Sequence, residues 1–101
     1  MNEPTLAEML QMILRDAGFL MTGGSAQFRE SALKDLQLSL RALQERATDA
    51  HLVTIARELA DRASHLAASR DPDSTDCMNM RNTVTTFESA MKDNIKGERH
   101  R

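Results

Sequence analysis

The segment Cys77-Met78-Asn79-Met80 holds the chain's single cysteine and two of its seven methionines. Thiolate and thioether sulfur atoms are ligands that soft metals such as Cu(I) prefer. Cys77 and Met80 share one face of a helix, and His65 could approach Cys77 if the last two helices form a hairpin. Both sulfur residues also begin an apolar helical pattern, which favours a buried cysteine and a gap-filling methionine. We therefore predict no metal site and no cofactor, and keep metal or redox sensing through Cys77 as a third hypothesis on function.

The other nucleophiles and bases form no catalytic pattern. His51 and His65 lie on one helix about 21 Å apart, too far to share a metal or a proton. Ser31 and Lys34 match the S-x-x-K pattern of serine acyl enzymes, but the S-D-N and K-T-G elements of those enzymes are missing. Gly23-Gly24 lacks the lysine of a phosphate-binding loop. We expect no catalytic residue, no enzymatic activity and no small-molecule substrate.

The first helix is predicted over about residues 6–17. Thr5 and Glu8 have the spacing of a capping box, in which each side chain accepts a hydrogen bond from the other residue's backbone N–H. Gly18 follows the apolar pattern and is predicted to end the helix as a C′ glycine. The apolar face contains Leu6, Met9, Leu10, Ile13, Leu14 and Ala17.

The second and third helices are predicted over about residues 26–47 and 50–68. Ser25 is the expected N-cap of the second helix, and either Thr48 or Asp49 caps the third. The second helix carries leucines at spacings of three and four, and the third has a broad apolar arc rich in alanine. An arc of that width suits a helix that contacts two neighbours.

The fourth helix is predicted over about residues 73–96. Asp71, Asp73 and Ser74 are alternative N-caps, and Gly97 is expected to end the helix. Its apolar residues follow spacings of three and four, which is typical of a narrow packing seam. They are Cys77, Met80, Val84, Phe87, Met91 and Ile95.

These elements predict an all-α, single-domain, four-helix and mainly antiparallel bundle. The chain has 101 residues, a length that suits one domain spanning residues 1–101, with a frayed basic tail at 97–101. Three phenylalanines and no tryptophan or tyrosine mean that the core must consist mainly of aliphatic side chains. Short connections between helices favour antiparallel neighbours.

Charge and hydropathy narrow the classes of function. The net charge of −2 argues against binding to the nucleic-acid backbone. A dimeric nucleic-acid-binding transcriptional regulator is still the alternative hypothesis, because a dimer could gather Arg57, Arg62 and Arg70 on one face. A single cysteine needs no oxidising compartment, and neither a signal peptide nor an apolar segment of membrane-spanning length is evident. We expect a cytoplasmic protein.

The remaining pattern favours binding between proteins. The first helix is predicted to be about half as long as the second, which leaves part of the bundle seam open. The Phe19-Leu20-Met21 segment, a second copy of the chain or another protein could close it. We predict a non-catalytic protein–protein interaction module, such as a regulator, an inhibitor or a chaperone-like binder, with homodimerisation as one form of contact. The predicted contact residues are apolar side chains of the first helix, the segment after it and one outward leucine. They are Met9, Met12, Phe19, Leu20, Met21 and Leu38.

Overall fold

The computed structural model describes residues 4–22, 25–68 and 74–99. It contains four α-helices and confirms the predicted all-α four-helix class. The helices are α1 (Leu6–Thr22), α2 (Ala26–Arg46), α3 (Ala50–Ala68) and α4 (Ser74–Arg99). The alternative caps Asp71 and Asp73 of the fourth helix lie outside the described residues.

The predicted N-caps of α1 and α2 are both present. The Glu8 N–H donates to Thr5 Oγ1 at 3.1 Å, and the Thr5 N–H donates to Glu8 Oε1 at 3.3 Å. Ser25 Oγ accepts the Phe28 N–H at 3.2 Å. Each of these bonds satisfies a backbone donor that the first turn of a helix leaves without an intrahelical partner.

Asp49 caps α3 and also binds a residue near the end of α4, so that it joins the start of α3 to the end of α4. Asp49 Oδ1 accepts the His51 N–H at 2.9 Å, and Asn94 Nδ2 donates to Asp49 Oδ2 at 3.1 Å. The hydrogen bond from Asn94 lowers the pKa of the Asp49 carboxyl, and the backbone N–H groups of His51 and Leu52 lower it further. The structure thus selects Asp49 from the two predicted caps.

The predicted end of the first helix is wrong, because α1 continues through Gly18 to Thr22. Gly18 does not adopt the left-handed conformation of a C′ glycine. The helix continues because Leu20 extends the apolar face of Ile13 and Ala17 into the core, and all three side chains are buried. That packing outweighs the roughly 1 kcal/mol that a glycine costs within a helix. With 17 residues against 21 for α2, α1 is not a half-length helix that leaves the seam open.

The predicted end of the fourth helix is also wrong, because α4 passes through Gly97 and ends at Arg99. An added Cβ at Gly97 would meet no atom within 4 Å, and its backbone is likewise outside the left-handed region. The first part of the predicted tail is therefore helical, while residues 100–101 lie outside the described part of the chain.

The helices form a flattened, up-down-up-down ring. Each packs on the next, α4 closes against α1, and α1 also contacts α3 across the core. Within the described ranges no Cα atom of α2 lies within 8 Å of one in α4. Arg46 at the end of α2 donates to the carbonyl of Pro4 before α1, and Arg29 near the start of α2 donates to the Leu66 carbonyl near the end of α3 at 3.0 Å. These contacts join opposite helix ends and show that consecutive helices are antiparallel.

The predicted seam of α4 packs into the core. Met80, Phe87 and Met91 are fully buried, while Cys77 is half-buried and packs against the core cluster. Met78, by contrast, is exposed. The segment that suggested soft-metal ligands is therefore divided between the core and the surface of one helix.

Candidate protein-binding surface

Two of the predicted contact residues, Met9 and Leu20, lie in the core. Met9 is 4% exposed and Leu20 is 2% exposed, because both lie on the α1 face that packs into the bundle. Their assignment to an accessible surface is therefore corrected. Met21 is half-buried and packs against the core, whereas Met12 and Phe19 are exposed.

The strongest surface feature is a pair of phenylalanines from different helices. Phe19 of α1 and Phe28 of α2 are 37% and 48% exposed, although their ring centroids are only 5.0 Å apart with an interplanar angle of 69°. This edge-to-face geometry is favourable for aromatic rings. Phe28 was not among the predicted contact residues. The sequence did contain a signal for its exposure. At 100° per residue, Phe28 lies about 80° around α2 from the core residue Leu36, away from the centre of the buried face.

A groove between the two helices lies beside this aromatic pair. It has a volume of about 260 Å³ and is called the α1/α2 groove below. Met12 is two helical turns before Phe19 and lies on the same edge of α1. The residues that line the groove are Arg15, Asp16, Phe19, Phe28, Ser31, Ala32 and Asp35.

Asp16 is a buried carboxylate in the lining of the α1/α2 groove. It is 4% exposed, and its Oδ1 lies 3.8 Å from Arg15 Nε, beyond hydrogen-bonding distance. Within residues 4–22, 25–68 and 74–99, no group donates a hydrogen bond to this carboxylate. Burial raises the pKa of Asp16; the charge of Arg15 opposes the shift and that of Asp35 adds to it. The groove thus contains a largely buried acid that, among the described residues, has only Arg15 as a charged partner and keeps a small contact with solvent.

A second depression lies at the other end of the seam between α1 and α2. It has a volume of about 400 Å³ and is lined by Pro4, Met9, Ala42, Glu45 and Arg46. Arg46 Nη1 lies 3.7 Å from Met9 Sδ, so the guanidinium covers the methionine. The described lining at this end of the seam thus combines three apolar residues with Glu45 and Arg46 and contains no aromatic ring.

Leu38 is exposed on a different side of α2. It lines a depression of about 420 Å³ that α2 forms with α3, together with Lys34, Arg41 and Asp61. Across the same depression, Gln37 Nε2 donates to Ser64 Oγ at 2.7 Å. The structure does not bring Leu38 together with Met12 and Phe19, so the predicted contact set divides into two separate surfaces.

The residues behind the alternative hypotheses are dispersed. Among the described residues, no group of three or more His, Cys, Asp or Glu side chains could hold a metal ion. Arg57 and Arg62 are both exposed, but they project about 140° apart around α3 and do not share a face. Arg70 lies outside the described residues.

The fold and this surface define an all-α, up-down four-helix bundle with an aromatic-lined groove between its first two helices. No protein-family model, characterised protein or solved structure matches the chain significantly. In the part of the chain that the structure describes, none of the helices combines the length and apolar character needed to cross a bilayer.

Proposed function

We propose that this protein is a non-catalytic protein-binding module whose contact surface is the α1/α2 groove with its two phenylalanines. The observation that carries the proposal is the exposed Phe19–Phe28 pair. Two adjacent aromatic rings that are accessible to water are typical of a contact site, because a complex that covers them removes apolar surface from water, which is favourable. Aromatic residues are also enriched among those that contribute most to binding free energy.

The position of the pair suits such a role. Phe19 and Phe28 lie on two helices that pack into the core, and Ser25 caps the second, so both rings project from regular secondary structure that needs no folding on binding. Met12 extends the apolar surface along α1 with a flexible side chain that adapts to different shapes. A cytoplasmic regulator, inhibitor or chaperone-like binder would act by covering a complementary surface of another protein.

Replacing both phenylalanines with serine tests the proposal. Leu20 is unsuitable for this test, because a serine in the core would destabilise the bundle and reduce binding through lost stability and not through a lost contact. Proteins captured from native extracts by the wild-type chain are compared with those captured by the Phe19→Ser/Phe28→Ser variant. Met78→Ser is the matched control, because it removes an exposed apolar side chain from α4, whereas the described residues that line the α1/α2 groove all belong to α1 and α2.

The proposal expects that a partner captured by the wild type is retained by Met78→Ser and lost by the double variant. The variants must also show unchanged helicity, which circular dichroism measures. A partner retained equally by the double variant would place the contact elsewhere and contradict the proposal.

A further inference from the structure

We propose that the α1/α2 groove receives an arginine side chain of the partner protein, with apolar residues of the same partner segment covering Phe19 and Phe28. This inference rests on the proposed function and specifies the chemistry of the partner. It follows from the lining of the groove, where carboxylates, aromatic rings and a small volume occur together.

Asp16 presents a largely buried carboxylate to the groove. The residue is 4% exposed and its nearest charged group among the described residues, Arg15 Nε, is 3.8 Å away, too far for a hydrogen bond, so its oxygens have only their small contact with solvent. A donor from a partner protein would replace that limited contact with direct hydrogen bonds. A guanidinium supplies two parallel N–H donors in the geometry that a carboxylate accepts.

The charged side chains of the lining favour a cation. Two acids, Asp16 and Asp35, line the groove with a single base, Arg15. The Arg15 side chain is largely exposed, and its Nε is 3.8 Å from Asp16 without a hydrogen bond. Arg15 therefore leaves an excess of negative charge, which favours a cationic side chain from the partner.

The groove combines aromatic rings with a small volume. The groove encloses about 260 Å³, less than the roughly 300–1,000 Å³ of pockets that bind drug-sized molecules, and this favours a single side chain. The rings of Phe19 and Phe28 offer faces to a cation, and a planar guanidinium stacks on aromatic rings while it pairs with a carboxylate. Lysine lacks both the planar shape and the paired donors, so arginine is the better occupant.

The test uses a phage-displayed library of random peptides, panned against the immobilised wild-type chain. Recovered peptides should contain an arginine with apolar residues three or four positions away, the spacing of one helix face. One such peptide is then synthesised with arginine and with glutamine at that position, and both dissociation constants are measured by calorimetry. We expect the glutamine peptide to bind about tenfold more weakly or worse.

Two variants separate this inference from the proposed function. Asp16→Asn should remove most of the difference between the arginine and glutamine peptides. Asp35→Asn, an exposed position where folding is not at risk, should reduce it in part. Phe28→Ser should weaken both peptides alike.

Peptides that depend on Phe28 but bind equally well with glutamine, or equally well to Asp16→Asn, would overturn the arginine inference and leave the proposed function intact. Peptides that bind Phe28→Ser as well as the wild type would overturn both. A wild-type dimer that Phe28→Ser converts to a monomer would identify a second copy of the chain as the occupant and would also overturn the inference.

Discussion

Replacing Gly18 with alanine tests whether α1 is continuous beneath the candidate surface. Phe19 follows Gly18 directly, so its pairing with Phe28 depends on the helix passing through the glycine. An added Cβ at Gly18 would meet no atom within 4 Å, and the backbone there is not left-handed. The alanine side chain therefore introduces no clash or backbone strain.

The expected gain in the free energy of unfolding is about 0.5–1 kcal/mol, because alanine loses less backbone entropy than glycine in a helix. For a domain of this size that corresponds to a rise in melting temperature of about 2–8 °C. Urea-induced unfolding followed by circular dichroism measures the change, and the slope against urea concentration should stay constant. Gly97→Ala is the matched control, with a smaller expected gain because Gly97 lies close to the end of α4.

The contrary result is equally specific. If Gly18 ended the helix in a left-handed conformation, alanine would cost roughly 1–2 kcal/mol there. A fall in stability for Gly18→Ala, together with no loss for Gly97→Ala, would refute the continuous α1 and with it the placement of Phe19.

Four further predictions follow from particular contacts. Leu20→Ser should destabilise the bundle by roughly 2–5 kcal/mol and Phe28→Ser by about 1 kcal/mol or less, as measured by urea unfolding; similar losses would contradict the burial that separates the two side chains. Asp16 has a raised pKa in the folded state, so the folded state binds more protons than the unfolded state between the two pKa values. The free energy of unfolding should therefore decrease as pH rises through that window, and Asp16→Asn should make the decrease smaller. Asp49 has a lowered pKa in the folded state, so its contribution to the free energy of unfolding is present above the unfolded pKa and is lost as pH falls through the folded pKa. Asn94→Ala should reduce this loss, and an unchanged profile of stability against pH would contradict the hydrogen bond from Asn94. Thr5→Ala should cost about 1 kcal/mol through loss of the capping box, and no change in the unfolding midpoint would show that the box does not stabilise α1.

Much of the fold could be predicted from local patterns. The stripe of α3 is the clearest case: Leu52, Ile55 and Leu59 repeat at helical spacing, and all three are buried. The Thr5 and Ser25 caps could be predicted because a cap is a contact between residues a few positions apart. Such features depend on residues that are only three or four positions apart in the sequence.

The errors occurred where tertiary packing decided the outcome. Glycine is typical of a helix end, but the buried side chains of Ala17 and Leu20 on either side of Gly18 keep the chain helical. Asp16 could not be recognised as buried from α1 alone, since the groove that it lines forms only where α1 packs against α2. Likewise the partnership of Phe19 with Phe28 depends on how two helices pack, which neither helix specifies alone.

The proposed contact surface of this protein is the α1/α2 groove, and an NMR map of backbone amide shifts in the complex with a captured partner tests this role most directly. We expect the largest changes at Met12, Arg15, Phe19, Phe28 and Asp35, while α3 changes little. Largest changes around Leu38 or Met78, with the groove unaffected, would contradict it.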